Sequence, residues 1–248
     1  MLFANNSPFY FRLLETIQDL KEAFALRYKV WSELGYIPNE MQSEINLLEI
    51  DNCDRYAIPI GLFNSEKKLV GTIRVVTEGE QSRWSAKIES FVNNLGDDIL
   101  INNYHKPYST PFAILESFEG MVPVWKELSL NFVSFGELSR VIISKEFQGI
   151  GLSSPLIDFA LAIALNEGIK VVFLACVEKQ ISLYARHGFE VIDDVKTEAF
   201  SRVSQPAMAM RLDFTAIKVK LDKLINVKNY FNKNQKVFFC NDTKSFSI

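Results

Sequence analysis

Residues 137–168 read ELSRVIISKEFQGIGLSSPLIDFALAIALNEG, and three kinds of structure follow one another in them. Glu137–Ser144 is short and rich in β-branched residues, so it reads as a strand. Ile150–Glu167 is strongly apolar over a length that suits a helix, and Gly168 ends it. Between them stands Gln148-Gly149-Ile150-Gly151-Leu152-Ser153, whose small residues let backbone N–H groups at a helix N-terminus approach an anion closely. The turn lacks the Gly-Lys-Ser/Thr of a P-loop. It also lacks the third glycine of the dinucleotide fingerprint and the acidic residue about 20 positions later. Strand, anion-cradling turn and helix in this order predict an α/β fold.

The flanking sequence extends the pattern. Downstream, Val171–Val177 reads as a buried strand, Gln180–His187 as a short helix, Gly188–Val195 as a strand, and Pro206–Asp213 as a last strand with alternating Met208, Met210 and Leu212. Upstream, Leu69–Val76 is a strand in which Val70, Thr72, Arg74 and Val76 share a face. Leu14–Leu34 is a helix, because Leu20, Phe24, Arg27, Trp31 and Leu34 form one stripe that stops at Gly35. Residues 77–135 mix helices (Ser85–Leu95, Met121–Leu128) with loops around Pro107 and Pro111, and read as an insertion covering the core. Residues 1–212 therefore form one domain with that insertion. Residues 213–248 form a basic extension, with seven lysines against three aspartates.

Composition narrows the function classes. With 248 residues, 48% hydrophobic and 23% charged, the chain is long enough for one generous core and is neither disordered nor a disulfide miniprotein. A net charge of -3 offers no electrostatic footprint for nucleic acid. Cys53, Cys176 and Cys240 are odd in number and form no CxxC pair, so no disulfide framework and no metal site is expected, which fits a reducing cytoplasm. The apolar runs are too short for a transmembrane segment, and Met1–Tyr10 lacks the pattern of a secretory signal.

Charges on apolar faces carry the chemistry. Arg27 lies in the stripe of the first helix and Arg74 among the apolar residues of a strand, while Glu49, Asp51 and Asp54 fall within six positions. Buried arginines and carboxylates neutralise one another only by converging. Such a network can bind the ammonium and carboxylate of an amino acid, or can simply pin the first helix to the sheet. Strict alternation puts Glu137 and Arg140 on opposite faces of their strand, so both reach one cleft only if a bulge intervenes. Cys176 and His187 are a thiol and an imidazole eleven residues apart, weighed as a covalent pair and set below the reading of Cys176 as a small core hydrophobe. His105 carries no signal.

The Gln-x-x-Gly-x-Gly/Ala turn after a strand, here ending in Ser153, resembles the acyl-CoA-binding loop of the Gcn5-related N-acetyltransferase (GNAT) superfamily. Tyr184-Ala-Arg-His-Gly188-Phe189 resembles the tyrosine that this superfamily carries ahead of a Gly-Phe pair. The match departs at Val177, where many members have asparagine. Arg27 and Trp31, then Glu49-x-Asp51-x-x-Asp54, Arg74 and Glu137-x-x-Arg140 resemble the acyl-homoserine-lactone synthases, which use S-adenosylmethionine. Joined to an intact phosphate loop, this framework is most similar to the N-acyl amino acid synthases. The resemblance implies a mixed central sheet flanked by helices and a bulge in the strand of Glu137. It also implies an acyl-phosphopantetheine donor, on acyl carrier protein or coenzyme A, held by Ile143, Gln148, Gly149, Ile150, Gly151, Leu152 and Ser153. It implies a small-molecule amine acceptor at Arg27, Trp31, Asp51, Asp54, Arg74 and Arg140. Glu137, or Glu49 through water, would be the base and Tyr184 the proton donor to the leaving thiolate. Acyl carrier protein is the expected partner, its acidity suiting the basic extension. A catalytically silent acyl-thioester sensor of the same fold is the alternative from another class.

Overall fold

The structure, a computed structural model, describes residues 8–37, 47–79, 84–94, 112–196, 206–233 and 237–239. In chain order the elements are β1 (Phe9–Leu13), α1 (Ile17–Glu33), β2 (Ala57–Asn64), β3 (Leu69–Thr77), α2 (Ser85–Asn93), α3 (Ala113–Ser117) and α4 (Met121–Leu130). There follow β4 (Phe135–Ile143), α5 (Ser153–Asn166), β5 (Val171–Val177), α6 (Ile181–Ala185), β6 (Glu190–Lys196), β7 (Ala207–Asp213), α7 (Lys218–Lys233) and β8 (Val237–Phe239). The eight strands form one mixed sheet in the order β6-β7-β5-β4-β3-β2-β1-β8.

Helix α1 starts where its sequence can satisfy the first free amides. Thr16 Oγ1 accepts from the Asp19 N–H at 3.0 Å and Asp19 Oδ2 accepts from the Thr16 N–H at 3.2 Å, a reciprocal cap. Asp19 also takes a two-pronged bond from Arg12 at 2.8 Å, which ties β1 to the helix. The apolar stripe holds through Leu20, Phe24 and Arg27, all buried, and then runs out: Leu34 is 48% exposed. The helix is shorter than the sequence pattern gives, chiefly because its cap sits at Thr16 and it starts at Ile17 rather than Leu14.

The sheet separates two apolar clusters. Along β5, Val171 and Phe173 join the cluster of α3 and α4, whereas Val172 and Leu174 join the cluster that contains α5. Such alternation is what a central strand buried on both faces requires. Helix α5 is apolar all round because it too is covered twice: it packs on β3 and β4, and α7 lies against it with Leu224 and Val227 buried. Residues 213–248, read as a basic extension, thus supply a helix on α5 and a strand, β8, hydrogen-bonded antiparallel to β1.

Two features of the sheet build the site. Strands β4 and β5 are parallel and paired only over Phe135–Glu137 and Val171–Phe173, after which no ladder joins them and the sheet splays open. In the β3–β4 pair, Thr72 faces Ile142 but Arg74 faces Ser139, so β4 carries one extra residue between them. Arg140 occupies that bulge with a φ of 58°, a left-handed conformation rare for a side chain of its size. The bulge expected in this strand is present, and it lets both Glu137 and Arg140 reach one cavity.

Strands β1, β2 and β8 and the short α3 are additions to the sequence reading, and α5 begins at Ser153 rather than Ile150. Gly149 and Gly151 have φ of 79° and 87°, outside the helical region, so the chain cannot enter the helix before them. The loops around Pro107 and Pro111, His105 and Cys240 lie outside the described residues. Among the described residues, no helix is long and apolar enough to cross a membrane.

Candidate active site

The splay between β4 and β5 opens a cleft of about 320 Å³. Trp31 and Tyr36 from the end of α1, Ile114 from α3, Glu137 to Ile143 from β4, Ala175 to Val177 from β5 and Tyr184 from α6 line it. Gln148 and Ser153 from the glycine turn close one end.

Behind the Arg140 wall, six charges form an alternating ring. Arg27 donates to Glu49 and, at 2.8 and 3.0 Å, to Asp54. Arg74 reaches Asp54 at 2.7 Å and Asp51 at 2.6 and 2.9 Å. Arg140 reaches Asp51 at 2.5 Å and Glu49 at 2.8 Å, which closes the circle. Each ion therefore touches two of opposite sign, and three guanidiniums balance three carboxylates. All six side chains are at most 5% exposed. Burial alone would lift the Glu49 and Asp54 carboxyls, but the facing arginines outweigh it and hold both below their ordinary values. Burial alone would likewise lower the guanidinium of Arg74, yet Asp51 and Asp54 push it well above its ordinary value.

The expected acceptor set divides accordingly. Arg27, Asp51, Asp54 and Arg74, with Glu49, converge as the sequence implies but do not line the cleft, because their hydrogen bonds are directed into the ring. Only Trp31 and Arg140 of that set reach the cavity wall. The Arg140 guanidinium lies 4.2 Å from the centre of the Trp31 ring, and its Nε and Nη2 are bonded to the ring carboxylates. No partner for its Nη1 is seen among the described residues.

Glu137 is buried in the cleft wall, where its Oε2 accepts the Ile114 N–H at 3.0 Å. Burial raises its carboxyl above the ordinary value, against the opposing effect of that amide. The amide of Ile114 was not legible in sequence, since a backbone donor leaves no side-chain signal. Tyr184 is buried with its ring edge-on to Phe189 at 6.0 Å, and burial pushes its hydroxyl far above the usual range. It therefore stays protonated and neutral.

Gly149 and Gly151 stand in an open turn where an added Cβ would meet nothing within 4 Å, so the backbone there is approachable from outside. Gln148 Nε2 braces the turn by donating to the Ile143 carbonyl at 2.9 Å. Helix α5 starts directly behind with no side-chain cap and no acid in its first turn. Ile150 is 61% exposed, whereas Leu152 is buried in the core.

The thiol–imidazole pair does not form. Cys176 faces the Met210 sulfur at 3.5 Å and its thiol is pushed up to about 11 by burial, while His187 is bonded to Asp158 and Ser154.

The family model described as acetyltransferase (GNAT) matches residues 17–189. Among solved structures, FeeM, an N-acyl amino acid synthase from uncultured soil microbes, is similar over 84% of this chain and 92% of its own, at 17% identity and a TM-score of 0.52. BjaI, a CoA-dependent acyl-homoserine lactone synthase, is similar over 83% and 81%, at 16% identity and a TM-score of 0.49. These are likenesses of fold. No curated protein matches the chain in sequence.

Proposed function

The chain belongs to the acetyltransferase (GNAT) family and is an acyltransferase, and from that premise we propose that it moves an acyl group, long-chain by preference, from a phosphopantetheine thioester to the amine of an amino acid. One observation carries the reading: Glu137 and Arg140 line the same cleft, whose far end reaches the glycine turn.

The donor's phosphates meet the amides around Gly149 and Gly151 and the start of α5, where unpaired N–H groups favour an anion. Its pantetheine arm then runs between β4 and β5, past Ile143, towards Tyr184. The acceptor's carboxylate docks on Arg140 Nη1, the one guanidinium nitrogen that the ring leaves over. An α-amino group has a pKa near 8 in its ordinary state, and as an ammonium it has no lone pair. Glu137, its affinity for protons raised by burial, accepts that proton. The freed amine attacks the thioester carbonyl, a C–N bond forms, the attached nitrogen gives its second proton to solvent, and collapse breaks the C–S bond. The thiolate takes the Tyr184 proton and leaves as a thiol. The proton on Glu137 returns to Tyr184 through solvent. Trp31, Arg27, Arg74 and the three acids act by positioning Arg140.

Acyl-carrier and CoA thioesters of increasing chain length, each with mixed amino acids, test this by release of free thiol and mass spectrometry of the N-acyl product. Thiol release with an amino acid supports the reading. Release only with S-adenosylmethionine replaces it by lactone synthesis, and thioester binding without release replaces it by a sensor. Gly151→Ala gives a separate check on the donor loop. Its left-handed φ costs an alanine about 1–2 kcal/mol, and the expected result is a KM for the thioester raised at least about tenfold, with kcat changed far less. An unchanged KM removes the turn from donor binding.

A further inference from the structure

The first turn of α5 separates two cavities. Ser153 lines the cleft, while Ser154 lines a second cavity of about 110 Å³ together with Asp158, Arg186, His187 and Lys223. There, Ser154 Oγ lies 3.2 Å from His187 Nε2 and His187 Nδ1 lies 2.8 Å from Asp158 Oδ1. Lys223 Nζ donates to the other Asp158 oxygen at 2.7 Å.

The direction of these bonds follows from chemistry. An ionised carboxylate only accepts, so His187 Nδ1 donates to Asp158; in the tautomer that holds this proton alone, Nε2 presents a lone pair. The Ser154 hydroxyl then donates to Nε2. Asp158 remains ionised, since the bonds from His187 and Lys223 outweigh the effect of its burial and hold its carboxyl low. Hydroxyl, imidazole and carboxylate stand in the order that activates a serine nucleophile, with the imidazole fixed by a buried acid. His187 and Asp158 are 6% and 7% exposed, while Ser154 is only partly buried and borders the cavity. Ser154 is also the second residue of a 14-residue helix.

We propose that Ser154, His187 and Asp158 form a second acyl-transfer site, independent of the cleft, at which short activated esters acylate Ser154 and water then removes the acyl group. In the first step Ser154 Oγ forms a bond to the ester carbonyl carbon and His187 Nε2 takes the hydroxyl proton. Collapse breaks the bond to the leaving oxygen, which receives that proton. Water then attacks the acyl-serine with His187 again as base, releasing a carboxylic acid and the serine. Cavity size sets the substrate class. At about 30 Å³ per water-sized group the space admits roughly three or four such groups, an acetyl or propionyl unit and no long chain.

The test uses the full chain with p-nitrophenyl acetate and p-nitrophenyl decanoate. The expected result is a burst of p-nitrophenolate from the acetate ester, an acetyl group mapped to Ser154 by mass spectrometry, and little reaction with the decanoate. Ser154→Ala and His187→Gln should lower acetate hydrolysis at least about 100-fold. Glu137→Gln, which disables the cleft, should leave it unchanged. Because His187 is buried and its variant can misfold, the wild-type chain is also treated with a fluorophosphonate probe. Label absent from Ser154, hydrolysis that survives Ser154→Ala, or loss of hydrolysis in Glu137→Gln each overturns the proposal.

Discussion

Glu137→Gln is expected to lower acyl transfer by about 10²–10⁴-fold, the range for removing a positioned general base, while leaving the melting temperature unchanged or raised. The two effects have one cause. Glutamine keeps an oxygen that can accept the Ile114 N–H at 3.0 Å, so the packing of α3 on β4 survives, but it cannot take a proton. The stability sign follows from linkage. Burial raises the Glu137 carboxyl above its unfolded value, so the native state binds that proton more tightly than the unfolded chain does. Its contribution is favourable only below the folded pKa and is lost as pH rises through it. At neutral pH the ionised, buried carboxylate is therefore a cost that glutamine removes. In kinetics, the wild-type kcat/KM should rise with pH through a pKa above the ordinary glutamate range, and that limb should vanish in the variant. A variant that keeps more than a tenth of wild-type activity removes Glu137 from the role of base. One that loses activity together with several degrees of melting temperature assigns it to structure instead.

How much of this was legible in sequence depends on which physical signal each part leaves. Val171–Val177 was readable to the residue because a short β-branched run between Gly168 and a turn has few other fates. The glycine turn was readable because Gly149 and Gly151 mark a backbone that side chains avoid. Strand β2 was not, for its sequence Ala-Ile-Pro-Ile-Gly-Leu-Phe-Asn carries Pro59 and Gly61, the residues that usually signal a loop, and burial on both faces erases alternation. Strands β1 and β8 hold only five and three residues and exist through partners distant in sequence. The charges of the site were visible as residue types out of place, which foretold that they meet. That they meet in a closed ring, leaving Arg140 and Trp31 as its face on the cleft, is a matter of hydrogen-bond count that only three dimensions supply. The Ser154–His187–Asp158 line escaped for a related reason. His187 invited pairing with the nearer Cys176 in sequence, whereas its partners come from a helix 29 and 33 residues away.

Breaking the ring should carry the largest stability effect in the molecule. Arg74→Met removes the guanidinium shared by Asp51 and Asp54, leaving a buried ring of two cations and three anions. Removing one partner of a buried ion network costs about 3–5 kcal/mol. At about 2–4 °C per kcal/mol for a chain of this size, the melting temperature should fall by roughly 6–20 °C. Charge, more than packing, should set that number, since methionine fills much of the arginine stem's space. The double variant Arg74→Met with Asp54→Asn restores neutrality, so its loss should be smaller than the sum of the two single losses, the non-additivity expected of residues in one network. The acid limb gives a second reading. Glu49 and Asp54 have folded pKa values held below their unfolded ones, so their contribution is present above the unfolded carboxylate range and disappears as pH falls through the folded values. In Arg74→Met, Asp54 keeps only Arg27, its folded pKa rises, and acid unfolding should begin at higher pH than in the wild type. Circular dichroism melts across pH 3–8 measure both effects. A melting temperature within about 2 °C of wild type, or strict additivity in the double variant, would mean that the ring is a set of separate contacts.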